Sequence, residues 1–201
     1  MNKILILFIT LALSACEKNS PVFDKIADDA VILAFGDSLT YGTGSSQDAD
    51  YPAILSTLST HEVINAGIPG EISQSGRRRL PALLDQYQPE LLILIHGGND
   101  ILRKMPKQQT ADNLAHMINE AKQRNIKVIM LGVPKPGLFL MDSAEFYQQV
   151  AESHKVPIDL DTLPNILGSS DLKSDTIHPN NQGYQLMAEK IFNLLLKTGA
   201  L

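Results

Sequence analysis

The sequence predicts one three-layer α/β/α domain built on a central parallel sheet of about five strands. Three observations carry that expectation. From Ala30 onward, short apolar runs alternate with longer segments of helical spacing, the order in which a doubly covered sheet is built. The runs are continuously apolar rather than alternating, as strands buried on both faces must be. At 201 residues, 44% hydrophobic and 19% charged, the chain also has the size and composition of a single globular unit.

The elements follow in order. Lys3 supplies a positive charge ahead of an almost unbroken apolar stretch from Ile4 to Leu13. Such a stretch suits a signal peptide and is too short to span a bilayer as a helix. It ends in Leu13-Ser14-Ala15-Cys16, and Cys16 is the sole cysteine. This resembles the bacterial lipobox, whose cysteine receives a diacylglyceryl group and becomes residue one. An exported chain whose lone cysteine has no disulfide partner fits that reading, and more than one acyl chain gives stable membrane attachment. Residues 1–15 are thus expected to be a lipoprotein signal peptide, 16–29 a polar tether and 30–201 the folded domain.

Within the domain, 31–35, 63–66, 91–95, 128–131 and 156–158 are the candidate strands. Helices are expected at about 51–60, 73–87, 110–124, 142–154 and 181–197. Leu114, Met117, Ile118 and Ala121 fall at helical spacing and give one stripe for the sheet. Thr110 suits an N-cap ahead of Asp112. The net charge of -5 argues against a nucleic-acid partner. Arg77-Arg78-Arg79, the only basic cluster, reads as a solvated helix face. No His/Cys/Asp/Glu cluster has metal-ligand spacing, so neither a metal nor a cofactor is expected.

Open parallel sheets bind ligands at the carboxyl ends of their strands. Four polar segments should meet at that edge: Gly36-Asp37-Ser38-Leu39-Thr40, Gly67-Ile68-Pro69-Gly70-Glu71, Gly97-Gly98-Asn99-Asp100 and Asp175-Thr176-Ile177-His178-Pro179. Taken singly, Gly-Asp-Ser suits a tight turn with a capping serine, and Asp175 with His178 suits a capped turn before a helix. Together they supply what nucleophilic catalysis needs: a hydroxyl, an imidazole base and a carboxylate that fixes the base's tautomer.

These four segments, in this order, resemble the conserved blocks of the GDSL or SGNH hydrolases, over nearly all of the chain after the tether. The stretch 76–84 with Gln88-Pro89 is similar to the branch of acyl-thioesterases, lysophospholipases and arylesterases. The resemblance implies a flavodoxin-like fold and a serine esterase. It makes Ser38 the nucleophile, His178 the base and Asp175 its orienting carboxylate, with an oxyanion hole from the Ser38 N–H, the Gly70 N–H and the Asn99 amide. Gly67 is the alternative second donor, ranked behind Gly70 because an acidic residue follows Gly70. Pro69 and Glu71 replace the small polar residue and aspartate usual in the second block, and His96 stands where the branch tends to carry an acid. His96 is either structural or a substrate-pocket residue. His61 and His116 read as exposed, and His154 as the end of a helix.

The expected substrate is a small acyl ester or lysolipid, with a thioester as a further option, cleaved in the bacterial envelope by a periplasmic domain held to a membrane through Cys16. Loops 100–106 and 134–141 carry apolar residues suited to an acyl pocket, and Gly42 to Ser46 suits a mobile flanking loop. Two rivals keep the scaffold: a carbohydrate O-acetyl esterase, and a non-catalytic envelope binding lipoprotein.

Overall fold

A computed structural model describes residues 23–135 and 142–201. The leader and Cys16 lie outside these residues, as do 136–141 of the expected acyl-pocket loop. The sheet has five parallel strands: β1 (Val31–Gly36), β2 (Glu62–Gly67), β3 (Leu91–Ile95), β4 (Lys127–Leu131) and β5 (Ile158–Asp159), in the order β2-β1-β3-β4-β5. All five residues of β3 are fully buried. Each such aliphatic side chain contributes about 1.5–3 kcal/mol by leaving water. Val156 and Pro157, expected in the last strand, precede it, and β5 is two residues long.

Eight helices complete the described chain: α1 (Ser38–Tyr41), α2 (Tyr51–Ser59), α3 (Ser73–Tyr87), α4 (Gly98–Leu102), α5 (Lys107–Gln123), α6 (Glu145–His154), α7 (Thr162–Gly168) and α8 (Asn181–Thr198). α2 packs with α8 and α7 with α8, while α3, α5 and α6 pack in succession with one another. The stripe Leu114, Met117, Ile118 and Ala121 is buried as expected. The cap is not Thr110: α5 starts after Pro106, and Thr110 is a buried residue of the first turns whose hydroxyl faces Asp100 Oδ1 at 3.4 Å. No helix of the described residues is long and apolar enough to cross a membrane.

Residues from Phe23 onward are already held to the body of the domain. Phe23 N–H donates to Thr198 O (2.7 Å), Ile26 N–H donates to Ala200 O (2.9 Å), and the Ile26 side chain is buried. His61, expected to be exposed on a helix, is instead buried between α2 and β2. Its ring nitrogens face Ser59 O (2.7 Å) and Ala27 O (3.1 Å), which ties the incoming segment to the sheet. His116 is half-buried rather than exposed, and its Nε2 lies 3.8 Å from Glu120. His154 ends α6 as expected; burial and the nearby Lys122 cation push its imidazole down.

Register places the site. Gly36 pairs with Gly67 on one side and with Ile95 on the other, so the loops after β1, β2 and β3 leave the sheet at one level. Between β1 and β3 the strand order changes direction, which opens the crevice where such sheets take ligands.

Candidate active site

Ser38 is the first residue of α1, one step beyond β1. A β-carbon at Gly36 would stand 2.1 Å from Ile95 O and 2.2 Å from Thr40 Oγ1, so only glycine lets this turn form against β3. The capping residue is Asp37 rather than Ser38: its Oδ1 accepts from Leu39 N–H at 3.1 Å. The serine hydroxyl is thereby left free of capping. The Ser38 N–H, one of the unpaired donors of a first helical turn, has no partner among the described residues.

His178 reaches Ser38 from the far end of the chain. Its Nε2 lies 3.0 Å from Ser38 Oγ, and its Nδ1 lies 2.7 Å from Asp175 Oδ2. Asp175 Oδ1 also accepts from the N–H groups of Ile177 (2.8 Å) and His178 (2.9 Å), which folds residues 175–178 into a tight turn. Desolvation pushes the Asp175 carboxyl up, but the hydrogen bonds from the His178 ring and these amides outweigh it and hold the carboxyl below its ordinary value. An ionised carboxylate only accepts, so the Nδ1 proton is on the ring and the neutral imidazole turns a lone pair on Nε2 toward Ser38. Ser174 N–H to His178 O (3.0 Å) and Asn180 Nδ2 to Asp171 O (2.8 Å) fix this loop to its surroundings.

Asn99, in the first turn of α4, sits beside this pair. Its Nδ2 donates to Asp37 Oδ2 (3.2 Å) and to Glu71 O (3.1 Å). Two acceptors on one side fix which end of the amide is nitrogen. They also occupy both of its hydrogens. Asp37 itself is buried, and that burial pushes its carboxyl up. Gly70 lies in the loop after β2 at φ +77°, a conformation suited to glycine. Its carbonyl accepts from Arg103 Nη2 at 2.9 Å, and its N–H has no partner among the described residues. Gly67 N–H, the alternative, is already bonded to Asn65 Oδ1 at 3.0 Å.

Behind this loop is a cluster that sequence reading missed. Glu71 Oε1 and Oε2 accept from Arg79 Nε (2.8 and 3.1 Å), and Oε2 also accepts from Arg79 Nη2 (2.7 Å) and faces His96 Nε2 (3.1 Å). Arg79 Nη2 reaches Ala66 O (2.8 Å) and Gly36 O (3.2 Å) as well, and its guanidinium lies 4.2 Å above the Phe35 ring. Arg79 is therefore no solvated face residue. It joins the carboxyl ends of β1 and β2 through their carbonyls. His96 is wholly buried, and its Nδ1 accepts from Gly97 N–H at 2.9 Å, so Nε2 carries the proton given to Glu71. Of the two roles open to His96, the geometry supports the structural one. Burial pushes the Glu71 carboxyl up, yet the His96 and Arg79 hydrogen bonds hold it below its ordinary value. The signal available in the sequence was Glu71 itself, an acid in a loop eight residues before an arginine.

Leu39, Leu102, Val133, Leu167 and Ile177, with Ser38, Asn99 and His178, line a cavity of about 60 Å³. Leu102 comes from the expected loop 100–106; Pro134 and Lys135 are the described lining residues from loop 134–141. A larger groove of about 350 Å³ along α5 and α6 contains none of the groups that could do chemistry with Ser38. The stretch 42–46 is pinned rather than loose: Tyr184 Oη donates to Thr43 O (2.9 Å), and Ser46 exchanges hydrogen bonds with Asn181 (2.8 and 2.9 Å). Among the described residues no three His, Cys, Asp or Glu side chains are grouped to hold a metal ion.

Comparison with known proteins bears on the family and the fold. Residues 34–186 match the model of the GDSL-like lipase/acylhydrolase family. Thioesterase 1/protease 1/lysophospholipase L1 of Escherichia coli K12 is 33% identical over 165 residues, 79% of each chain. An uncharacterized lipoprotein of Bacillus subtilis 168, YqeF, is 33% identical over 146 residues, 65% of this chain and 56% of that protein. The crystal structure of the psychrotrophic esterase EstA from a Pseudoalteromonas species, inhibited by monoethylphosphonate, superposes with a TM-score of 0.73 at 27% identity. That match covers 84% of this chain and 98% of EstA.

Proposed function

Because the chain belongs to the GDSL-like lipase/acylhydrolase family, we propose that it hydrolyses carboxylic esters through an acyl-enzyme on Ser38, with His178 as base and Asp175 as the carboxylate that orients it. One observation carries this reading: the Asp175–His178–Ser38 relay, with both ring contacts at 3.0 Å or less. The small cavity lined by leucine, valine and isoleucine beside Ser38 supports a small acyl ester or a lysolipid as substrate.

Ser38 Oγ attacks the acyl carbon while His178 Nε2 takes its proton. The carbonyl oxygen becomes an oxyanion facing the N–H groups of Ser38 and Gly70. It also draws one hydrogen of the Asn99 amide away from Asp37 or Glu71 O. That exchange costs little in a preorganised site, because the bonds given up are long and the new one is made to full charge. The bond from the acyl carbon to the leaving oxygen, or to sulfur in a thioester, breaks, and His178 Nε2 returns the proton to the departing alcohol or thiol. Water, deprotonated by His178, then attacks the acyl-enzyme; the acyl–Oγ bond breaks and Ser38 regains its proton.

The same reading makes Cys16 a lipidated residue and puts the domain in the bacterial envelope, held to a membrane. Its supports are the apolar leader ending in Leu-Ser-Ala-Cys and the likeness to a Bacillus lipoprotein. A fluorophosphonate probe tests the catalytic half. It should label the wild-type protein at Ser38 and neither Ser38→Ala nor His178→Ala, with turnover of short nitrophenyl esters lost in parallel. Labelling that survives Ser38→Ala would move the nucleophile elsewhere. For the anchor, Cys16→Ser should abolish incorporation of labelled fatty acid and release the protein from the membrane fraction; unchanged partition would reject lipidation.

A further inference from the structure

The point where the described chain begins and the active site lie at opposite ends of the molecule. Phe23 and Ile26 are bonded to Thr198 and Ala200, at and just past the carboxyl end of α8. The other end of α8 starts at Asn181, which holds Ser46, three residues after His178 meets Ser38. α8 has 18 residues, so its two ends are about 27 Å apart. The strands agree: Ala30 leads into the amino end of β1, and Ser38 follows its carboxyl end.

Seven residue-to-residue steps separate Cys16 from Phe23. Fully extended, they reach at most about 25 Å. For the site to touch the bilayer that holds Cys16, those steps would have to run the whole length of α8 along the flank of the domain. Stretched straight they only just match that length, with nothing left to reach past its end, and a chain resists such stretching entropically. A domain of this size is about 40 Å across, and the crevice lies between two inner strands, so lying on its side the domain still keeps the site on the order of 20 Å above the surface. Resting on the lipidation of Cys16 and the esterase reading above, we propose that the active site is turned away from its anchoring bilayer. Its substrates are then esters that arrive through water, not esters embedded in that bilayer.

The test uses the full-length lipidated protein in vesicles of phosphatidylcholine and phosphatidylglycerol. Two substrates are compared: a soluble short-chain nitrophenyl ester, and a nitrophenyl ester fixed at headgroup level to a diether lipid in the same vesicles. A second protein carries about 30 Gly/Ser residues inserted between Asn19 and Ser20, a flexible coil whose mean span adds about 30 Å. Both proteins should turn over the soluble ester alike. The bilayer-fixed ester should be cleaved at least about 10-fold faster by the extended protein; equal rates on it would overturn the proposal. A second readout needs no catalysis. A dye on Gln47→Cys, beside Ser46, should escape a quencher buried in the bilayer, whereas one on Asp28→Cys, near the attachment, should be quenched; equal quenching overturns the proposal. Absence of soluble-ester turnover and of Ser38 labelling would reject the esterase reading instead, and the quenching result would still decide the orientation.

Discussion

Glu71→Gln removes a single charge and almost no volume, and the structure sets the size of its effect. The carboxylate takes two nitrogens of Arg79 and the Nε2–H of His96, and its side chain is 7% exposed. A glutamine offers one neutral acceptor and a second group that only donates, so one donor must go unmatched. Arg79 is 23% exposed and keeps the Ala66 and Gly36 carbonyls, so the unmatched donor falls on buried His96. Leaving such a group unpaired costs about 1–3 kcal/mol, and the lost charge assistance adds about 1.5 kcal/mol. A total near 3 kcal/mol sits at the low end for breaking a buried ion pair. For a domain of this length it lowers Tm by about 6–12 °C. Because Glu71 O also holds the Asn99 amide and Gly70 precedes it, kcat should fall about 10-fold with KM within twofold. Thermal unfolding by circular dichroism and steady-state kinetics on a nitrophenyl ester, well below Tm, read both numbers. The pH dependence has a definite sign. A carboxyl held below its ordinary value of about 4.5 contributes stability that is fully present above that pH. The contribution fades as pH falls from there through the lowered folded value, so the gap between wild type and Glu71→Gln should close in acid. A Tm within 2 °C of wild type with unchanged kcat would refute the reasoning.

Asn99→Ala should lower kcat by roughly 10²–10³ with little change in KM, the scale for one lost oxyanion donor; a rise in KM alone would make Asn99 a substrate-binding residue. Gly76→Ala places a β-carbon 2.3 Å from His96 Nε2, so it should destabilise by about 1–3 kcal/mol of overpacking, less about 1 kcal/mol of gained helix propensity. In a His96→Ala background the clash is gone, and the same change should stabilise; calorimetry that finds the same sign in both backgrounds rejects the contact. Since Asp175 stays ionised below its ordinary carboxyl value, that carboxyl should contribute no step to the kcat/KM profile between about pH 4 and 6. An acidic step in that window that Asp175→Asn removes would mean that Asp175 titrates there.

Most of the fold was legible because each of its long elements announces itself alone. Leu91 to Ile95 reads as a buried strand without reference to any other residue, and 73–87 reads as a helix with the bounds it has. α1 and α4 were not legible, since four and five residues cannot display a helical period; they exist because Asp37 caps one and Gly97 turns into the other. At the site, Ser38, Asp175 and His178 could be named because their chemistry is rare in combination. Arg79 and His61 could not. Their burial depends on which carbonyls and carboxylates the finished fold brings to them, and nothing in a run of three arginines separates Arg79, which turns inward, or half-buried Arg77, which donates to Asn113, from exposed Arg78.

Ser38 and His178 stand 140 residues apart, and the first described residues are clasped by the last ones. Hydrolytic competence is therefore a property of the finished polypeptide. On the triad proposed above, a ribosome-bound chain, or one cut short before residue 178, owns its nucleophile but has no base to activate it. The cell is spared a half-made esterase during synthesis. For the same reason, recovery of Ser38 reactivity after denaturation times the arrival of the carboxyl-terminal segment and is blind to the earlier collapse of the sheet.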